Sequence, residues 1–345
     1  MKKMLALLLA LVMVLSLAAC GGSQPAAAST ETAETTETTE PAAEESAEAP
    51  AESGKTYTVG VCQLVQHEAL DAATQGFIDA LKEELGDAVT VDAQNASGDS
   101  VNCGTIVNGF VSKGVDLIMA NATPALTAAV SATADIPILG TSITAYGVAL
   151  DIDDFNGTVG GNVSGTSDLA DLQAQAQMIL DWFPETKTVG LLFCSAEPNS
   201  RYQIDEVRKA LEAQGVTCEE FAFTDSNDVS SVTQKAADFS DVVYIPTDNT
   251  AASNTEAIAN VLIPAGVPAI CGEEGLCRGC GVATLSISYY DLGVTTGKMA
   301  AKILKGEADI STMPVEYTDA TPKYNASVCE QLGITPLDGY EAIDG

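Results

Sequence analysis

The sequence predicts an α/β protein of two similar lobes, each a parallel sheet with helices on both faces. Three observations predict it. The body of the chain is written twice, strands alternate with helices throughout, and the body is too long for one ordinary core. TYTVGVCQLVQHEALDAATQGFIDALKEEL (56–85) and TKTVGLLFCSAEPNSRYQIDEVRKALEAQG (186–215) share one plan. Each has a short β-branched strand, then a polar loop, then a helix with apolar residues three and four apart. Strands alternating with helices make parallel sheets through right-handed crossovers. From Lys55 onward the body has about 290 residues, which calls for more than one core.

The N-terminal segments come first. Lys2 and Lys3 precede an apolar run from Leu5 to Leu17, broken only by Ser16, and Leu17-Ala18-Ala19-Cys20 follows. This is a secretory signal peptide over residues 1–20. Its apolar run is shorter than the ~20 residues a membrane span needs. Residues 21–54 are Ala, Thr, Glu, Pro, Ser and Gly with a single Gln. They hold eight Glu and no Lys or Arg. Such a stretch cannot bury enough surface to offset its ordering entropy and repels itself, so a disordered acidic tether is expected.

The body carries most of a net charge of −33. That makes it a poor partner for nucleic acid or anionic headgroups. Of nine cysteines, eight lie in the body, at 62, 103, 194, 218, 271, 277, 280 and 329. They are scattered through strands and helices, and Cys62 and Cys194 sit in apolar runs as small buried hydrophobes. Structural thiols are expected.

The halves match beyond their first units. VDLIMANATPAL (115–126) corresponds to SDVVYIPTDNTA (240–251), and ADIPILGTS (134–142) to AGVPAICGE (265–273). In both halves an apolar strand ends abruptly in small polar residues. In an open parallel sheet, ligands bind beyond the carboxyl ends of the strands. Two such sheets facing one another would line a cleft with these loops. Candidate ligand-binding residues are Gln66, His67, Thr123, Pro124, Ser142, Asn199, Ser200, Asp248, Asn249 and Glu273. Asp248 and Asn249 are also good helix N-caps, so a capping role stays open.

QLVQHEALDAATQGF, ANATPALTAAV with DIPIL, GGNVSGTSD, YIPTDNTAAS and SYYDLGVTTGKMAAKILKGEAD together resemble the tryptophan/tyrosine-type substrate-binding proteins of ABC transporters. The resemblance runs from Thr56 to about Pro336. It implies a type I periplasmic-binding-protein fold with a three-segment hinge. The crossings are expected near Gly161–Ser164, Ser286–Tyr289 and Tyr317–Ala320. Lobe 1 is then 55–162 plus 288–318, and lobe 2 is 163–287 plus 319–345. The residues before Cys20 resemble a bacterial lipobox, which implies a lipid on Cys20 and a protein held at the outer face of the cell membrane. The implied function is capture of a small ligand, an aromatic amino acid, for delivery to ABC permease and ATPase subunits by a monomer. Asp248 would meet the ligand's ammonium with Glu273 as a second partner. Asn249, Thr123, Asn199 and Ser200 would supply donors, and His67 and Pro124 would face the side chain.

Other chemistries fit less well. Cys271, Cys277 and Cys280 lack a nearby fourth ligand for zinc, so no metal is expected. His67 is the one histidine, and no nucleophile elbow or phosphate loop stands on a strand-to-helix turn. No catalytic residue and no cofactor are expected, so the chain does not read as an enzyme. A sensor for a membrane receptor, or a binder of another amino acid, a sugar or a nucleoside, would use similar binding chemistry. Trp182 sits in a helix with apolar neighbours and reads as core.

Overall fold

The computed structural model describes residues 55–343. The expected signal peptide, lipidated Cys20 and acidic tether lie outside the described residues. Within the body the chain builds two sheets.

The first half runs β1 (Tyr57–Gln63), α1 (Glu68–Leu85), β2 (Val89–Asn95), α2 (Ser100–Lys113), β3 (Leu117–Asn121), α3 (Thr123–Ala132), β4 (Ile138–Ile143), a short α4 (Tyr146–Ala149) and β5 (Val163–Ser167). The second half runs α5 (Leu172–Trp182), β6 (Thr188–Cys194), α6 (Pro198–Glu212), β7 (Thr217–Phe223), α7 (Val229–Phe239) and β8 (Val242–Ile245). It continues with α8 (Asn249–Ala252), α9 (Thr255–Ala265), β9 (Ala269–Cys271), α10 (Glu274–Cys280) and β10 (Ala283–Ser286). Helix α11 (Tyr289–Lys305) and β11 (Glu316–Tyr317) then return to the first lobe. β12 (Thr321–Tyr324), α12 (Ala326–Leu332) and β13 (Glu341–Ala342) complete the second.

The sheet orders are β11-β5-β4-β3-β1-β2 and β13-β12-β10-β9-β8-β6-β7. The five strands of each half take the same relative places, so the written duplication is a duplicated topology. Neighbours are parallel except β10 and β12. Sheets buried on both faces read as continuous apolar strands. In β3, Leu117 and Met119 join one core cluster while Ile118 and Ala120 join the other. β6 divides likewise, with Leu191 and Phe193 on one face and Leu192 and Cys194 on the other.

The sheets correct one expected boundary. The first crossing was expected at Gly161–Ser164, but β5 pairs in parallel with β4 and stays in the first sheet through Ser167. The apolar environment of Val163 and the hydroxyl pairing of Thr166 with Thr141 and Thr296 hold it there. The first passage is therefore the stretch from Asp168 to the cap of α5. The other passages lie between β10 and α11 and between β11 and β12.

Helix α11 is fixed to α1 by glycines. A Cβ on Gly76 would strike the Tyr290 carbonyl, and one on Gly293 would strike the Ala73 carbonyl. Only hydrogen side chains allow the two backbones this approach, and it seats α1, whose N-terminus reaches the cleft.

Cys271, Cys277 and Cys280 are free and buried in the core beneath α10. Trp182 is buried in the other lobe-2 core cluster, edge-on to Tyr340 at 5.1 Å.

Candidate ligand-binding cleft

The carboxyl ends of both sheets meet at one narrow cavity of about 280 Å³. Lobe 1 contributes His67 at the N-cap of α1, Leu70 from α1, Ser142 from β4, and Thr144. Lobe 2 contributes Asn199 from α6, Thr247, Asp248, Asn249 and Ala252 around α8, and Glu273. Asp168 and Tyr289 enter from the first and second passages. The two lobes stand close together around it, with His67 and Asn249 in contact across it.

Six candidates from the sequence line this cavity: His67, Ser142, Asn199, Asp248, Asn249 and Glu273. The other four do not. Gln66 is exposed. Thr123 and Ser200 are buried behind the wall. Pro124 lines a separate, wider opening at the cleft mouth, with Ser97, Gly98 and Asp225.

Two expected ammonium acceptors are already engaged. Asp248 Oδ2 accepts from the Cys194 N–H at 2.6 Å and Oδ1 from the Ala251 N–H at 2.8 Å. It caps α8 and ties that helix to the end of β6. Glu273 accepts from the Gly275 and Leu276 N–H groups at 2.6 and 2.5 Å, capping α10. Burial and the Glu197 carboxylate push Asp248 upward from the usual carboxylate range. Burial pushes Glu273 up to about 7. The capping chemistry of Asp and Glu after a strand explains both positions.

Asp168, absent from the sequence candidates, differs. Its Oδ2 accepts from the Tyr289 hydroxyl at 3.0 Å, while Oδ1 has no hydrogen-bond partner. Burial pushes it up to about 6, against the lowering influence of Thr144 and Tyr289. Two more cavity atoms are buried without partners, Asn199 Oδ1 and Ser142 Oγ. The Asn199 amide nitrogen is spent on the Thr247 carbonyl at 3.1 Å and on Glu197 at 3.3 Å. Its oxygen is left as an acceptor. Ser142 sits at φ 56, where the pairing of β4 with β5 shifts register. A bulge re-aims a side chain, and a non-glycine residue at positive φ is strain of the kind that gathers at functional sites. Buried polar atoms are nearly always paired, so three unpaired ones around one cavity mark it as built for something polar.

His67 closes the mouth. Its Nε2 lies 3.2 Å from Asn249 Oδ1 across the cleft. Asn249 gives both its backbone and side-chain N–H groups to Glu197, at 3.0 and 2.6 Å. Its Oδ1 must therefore accept, and His67 Nε2–H must donate. Burial lowers the imidazole's pKa, opposed by the Asn249 bond and by the Glu197 and Asp71 charges. Among the described residues no Lys or Arg lines the cavity.

The sequence signal for Asp168 was present. It is an acid directly after the strand VSGTS, the same strand-end logic that picked out Asp248. It was missed because β5 was read as the start of a crossing. Tyr289 stands at the end of the second expected crossing, not among the candidate binding residues; it opens α11.

Residues 58–339 match the family of ABC transporter substrate binding proteins. A curated relative, the "Tyrosine-binding protein" of Clostridioides difficile (strain R20291), is 33% identical over 276 residues, covering 78% of this chain and 79% of its own. A solved ABC domain from Streptococcus pneumonia in complex with L-Trp is 32% identical with a TM-score of 0.79. It spans 84% of this chain and all of its own. A ligand-free, open substrate binding protein from Clostridium difficile is 33% identical, over 84% of this chain and 99% of its own. It superposes less well, at a TM-score of 0.64. These relatives are binding proteins, not enzymes, and the chain belongs to the ABC transporter substrate binding protein family.

Proposed function

We propose that this protein captures an aromatic amino acid as its zwitterion and hands it to the permease and ATPase subunits of an importer. The observation that carries the reading is the set of unpartnered buried atoms on the cavity wall. Asp168 Oδ1 and Asn199 Oδ1 are acceptors, fitted to an ammonium. The Ser142 hydroxyl can donate to a carboxylate. With no cationic side chain on the wall, that carboxylate is met by hydroxyl and backbone N–H donors, and the charge of the pair rests on Asp168. His67, Leu70 and Ala252 supply the surface for the side chain. The names of the C. difficile and S. pneumonia relatives support the aromatic class.

The ammonium partner proposed is thus Asp168 in place of Asp248, whose oxygens hold backbone N–H groups. Release from the cavity follows lobe separation about the three passages. The protein works outside the cytoplasm as a monomer, held to the outer face of the cell membrane through a lipid on Cys20.

Titration calorimetry with L-tryptophan, L-tyrosine and L-phenylalanine tests the ligand class, with tryptamine as the amine lacking the carboxylate. Heat from at least one amino acid and a much weaker response to tryptamine are expected. Silence from all three amino acids sinks the class, and equal binding of tryptamine sinks the zwitterion.

A further inference from the structure

Two polar contacts join the lobes at adjacent residues. His67 reaches Asn249, and Glu68, the first residue of α1, reaches Arg278 on α10. Arg278 Nε lies 3.0 and 3.1 Å from the two carboxylate oxygens of Glu68. The same guanidinium bonds Glu274 through Nη2 at 2.9 Å. Glu274 in turn holds Lys323 Nζ at 2.6 Å and the Ser286 hydroxyl at 3.1 Å. Among the ion pairs of the described residues, Glu68–Arg278 is the one that bridges the lobes. Its far end is anchored, through Glu274 and Lys323, on β12, the strand that follows the third passage.

We propose that Arg278 is the latch of the closed form and that it sets how long ligand is held. The charges around it give the reason. Glu68, Glu273 and Glu274 gather at this rim, and Arg278 stands between the acid of lobe 1 and that of lobe 2. With Arg278 in place, closure brings an Arg–carboxylate pair together. Without it, closure brings carboxylates together, and like charges in proximity push the lobes apart. Arg278 lies outside the ligand cavity, so it acts by positioning the α1 N-terminus and with it His67. The pair is partly exposed, with side-chain accessibilities of 34% for Arg278 and 52% for Glu68. An exposed pair is a modest interaction, suited to a gate that must also open.

This rests on the proposed ligand for its kinetic arm only. The test uses wild type, Arg278→Ala, Glu68→Gln and the charge-swapped Glu68→Arg/Arg278→Glu protein, the swap built together with Glu274→Gln so that no second acid faces position 278, with L-tryptophan and L-tyrosine as probes. Expected for Arg278→Ala is a ligand dissociation rate roughly two- to fivefold faster, in line with an exposed ion pair, with the association rate little changed. The swapped protein should recover toward wild type, which loss of a merely structural residue would not do. The second arm is small-angle scattering without ligand, where Arg278→Ala should shift toward a larger radius of gyration and the swapped protein back. Should wild type bind neither probe, the ligand reading fails while the scattering arm still decides the latch. Unchanged dissociation and unchanged radius in Arg278→Ala, with Glu68→Gln as the second variant, overturn it, as does a swapped protein no better than either single variant.

Discussion

Replacing Asp168 with Asn should move binding and stability in opposite directions. The exchange keeps the shape and keeps an acceptor for the Tyr289 hydroxyl, now 3.0 Å from Oδ2. What it removes is the charge. In the ligand-bound cavity that charge faces an ammonium in a site closed to water, and losing one partner of such a buried pair costs about 2–5 kcal/mol. Each ~1.4 kcal/mol is a factor of ten in Kd, so affinity should fall by roughly 30-fold to 3,000-fold. In the empty protein the charge is a burden. Burial raises the Asp168 pKa to about 6, so the ionised form is penalised above that pH. Asn carries no such penalty, and the ligand-free variant at pH 8 should melt no lower than wild type. Calorimetry with whichever aromatic amino acid binds wild type gives the first number and a thermal melt gives the second. A variant that binds as tightly as wild type refutes the assignment of the ammonium to Asp168. One that binds weakly but also melts well below wild type would make Asp168 a structural residue.

Asp248→Ala should instead act mainly on folding, because it strips the cap of α8 and leaves the Cys194 N–H buried without a partner; about 1–3 kcal/mol of stability should go, read by denaturant unfolding. Gly293→Ala should cost about 1–3 kcal/mol by forcing α11 away from α1, seen in the same assay. Without ligand, and in a His67→Gln background that removes the opposing effect of the buried imidazole's lowered pKa, stability should fall as pH rises from 5 to 8. Asp168 and Glu273 have folded-state pKa values raised to about 6 and 7. Their contribution is full below the ordinary carboxylate range and is lost as pH climbs through those values, so equal melting temperatures at pH 5 and 8 would contradict it. Cys20→Ala should release the protein from membranes or block its processing, checked by fractionation.

Much of the fold was legible because its signals are local and repeated. The strand VGLLFC and the helix after it carry their period in six or fifteen residues, and a second copy 130 positions away doubles the signal. The cleft was legible for a topological reason, since a polar cluster at the end of a buried strand has few other places to be. What the sequence did not resolve was which polar group is spoken for. Asp248 follows the apolar strand VVYI and Asp168 the buried but hydroxyl-rich strand VSGTS, and both are acids in a row of small polar residues. They differ in whether backbone N–H groups stand within reach. That depends on where the start of α8 meets the end of β6, a contact between Cys194 and Asp248 that no local pattern encodes. Gln66 failed for a similar reason, since its loop turns so that His67 and not its neighbour meets the cleft.

The duplication also explains why the unpaired acid sits in a passage and not in a repeat. Residues at equivalent strand ends inherit the same local task, which is to start the next helix, and Asp248 and Glu273 perform it in the second half. The passages follow no repeat rule and cap only where a helix follows closely. Asp168 precedes α5, but Asp171 already caps that helix through the Gln173 and Ala174 N–H groups. Asp168 is thereby left without a backbone partner for Oδ1, in the segment about which the lobes must turn. A ligand charge placed against it is held by neither lobe's repeat but by the hinge. On the proposed function, lobe separation would carry His67 and Asn199 apart while Asp168 stays in the passage between the lobes. Such a site can keep its hold on the ammonium as the cleft begins to open, and loosen the side chain first.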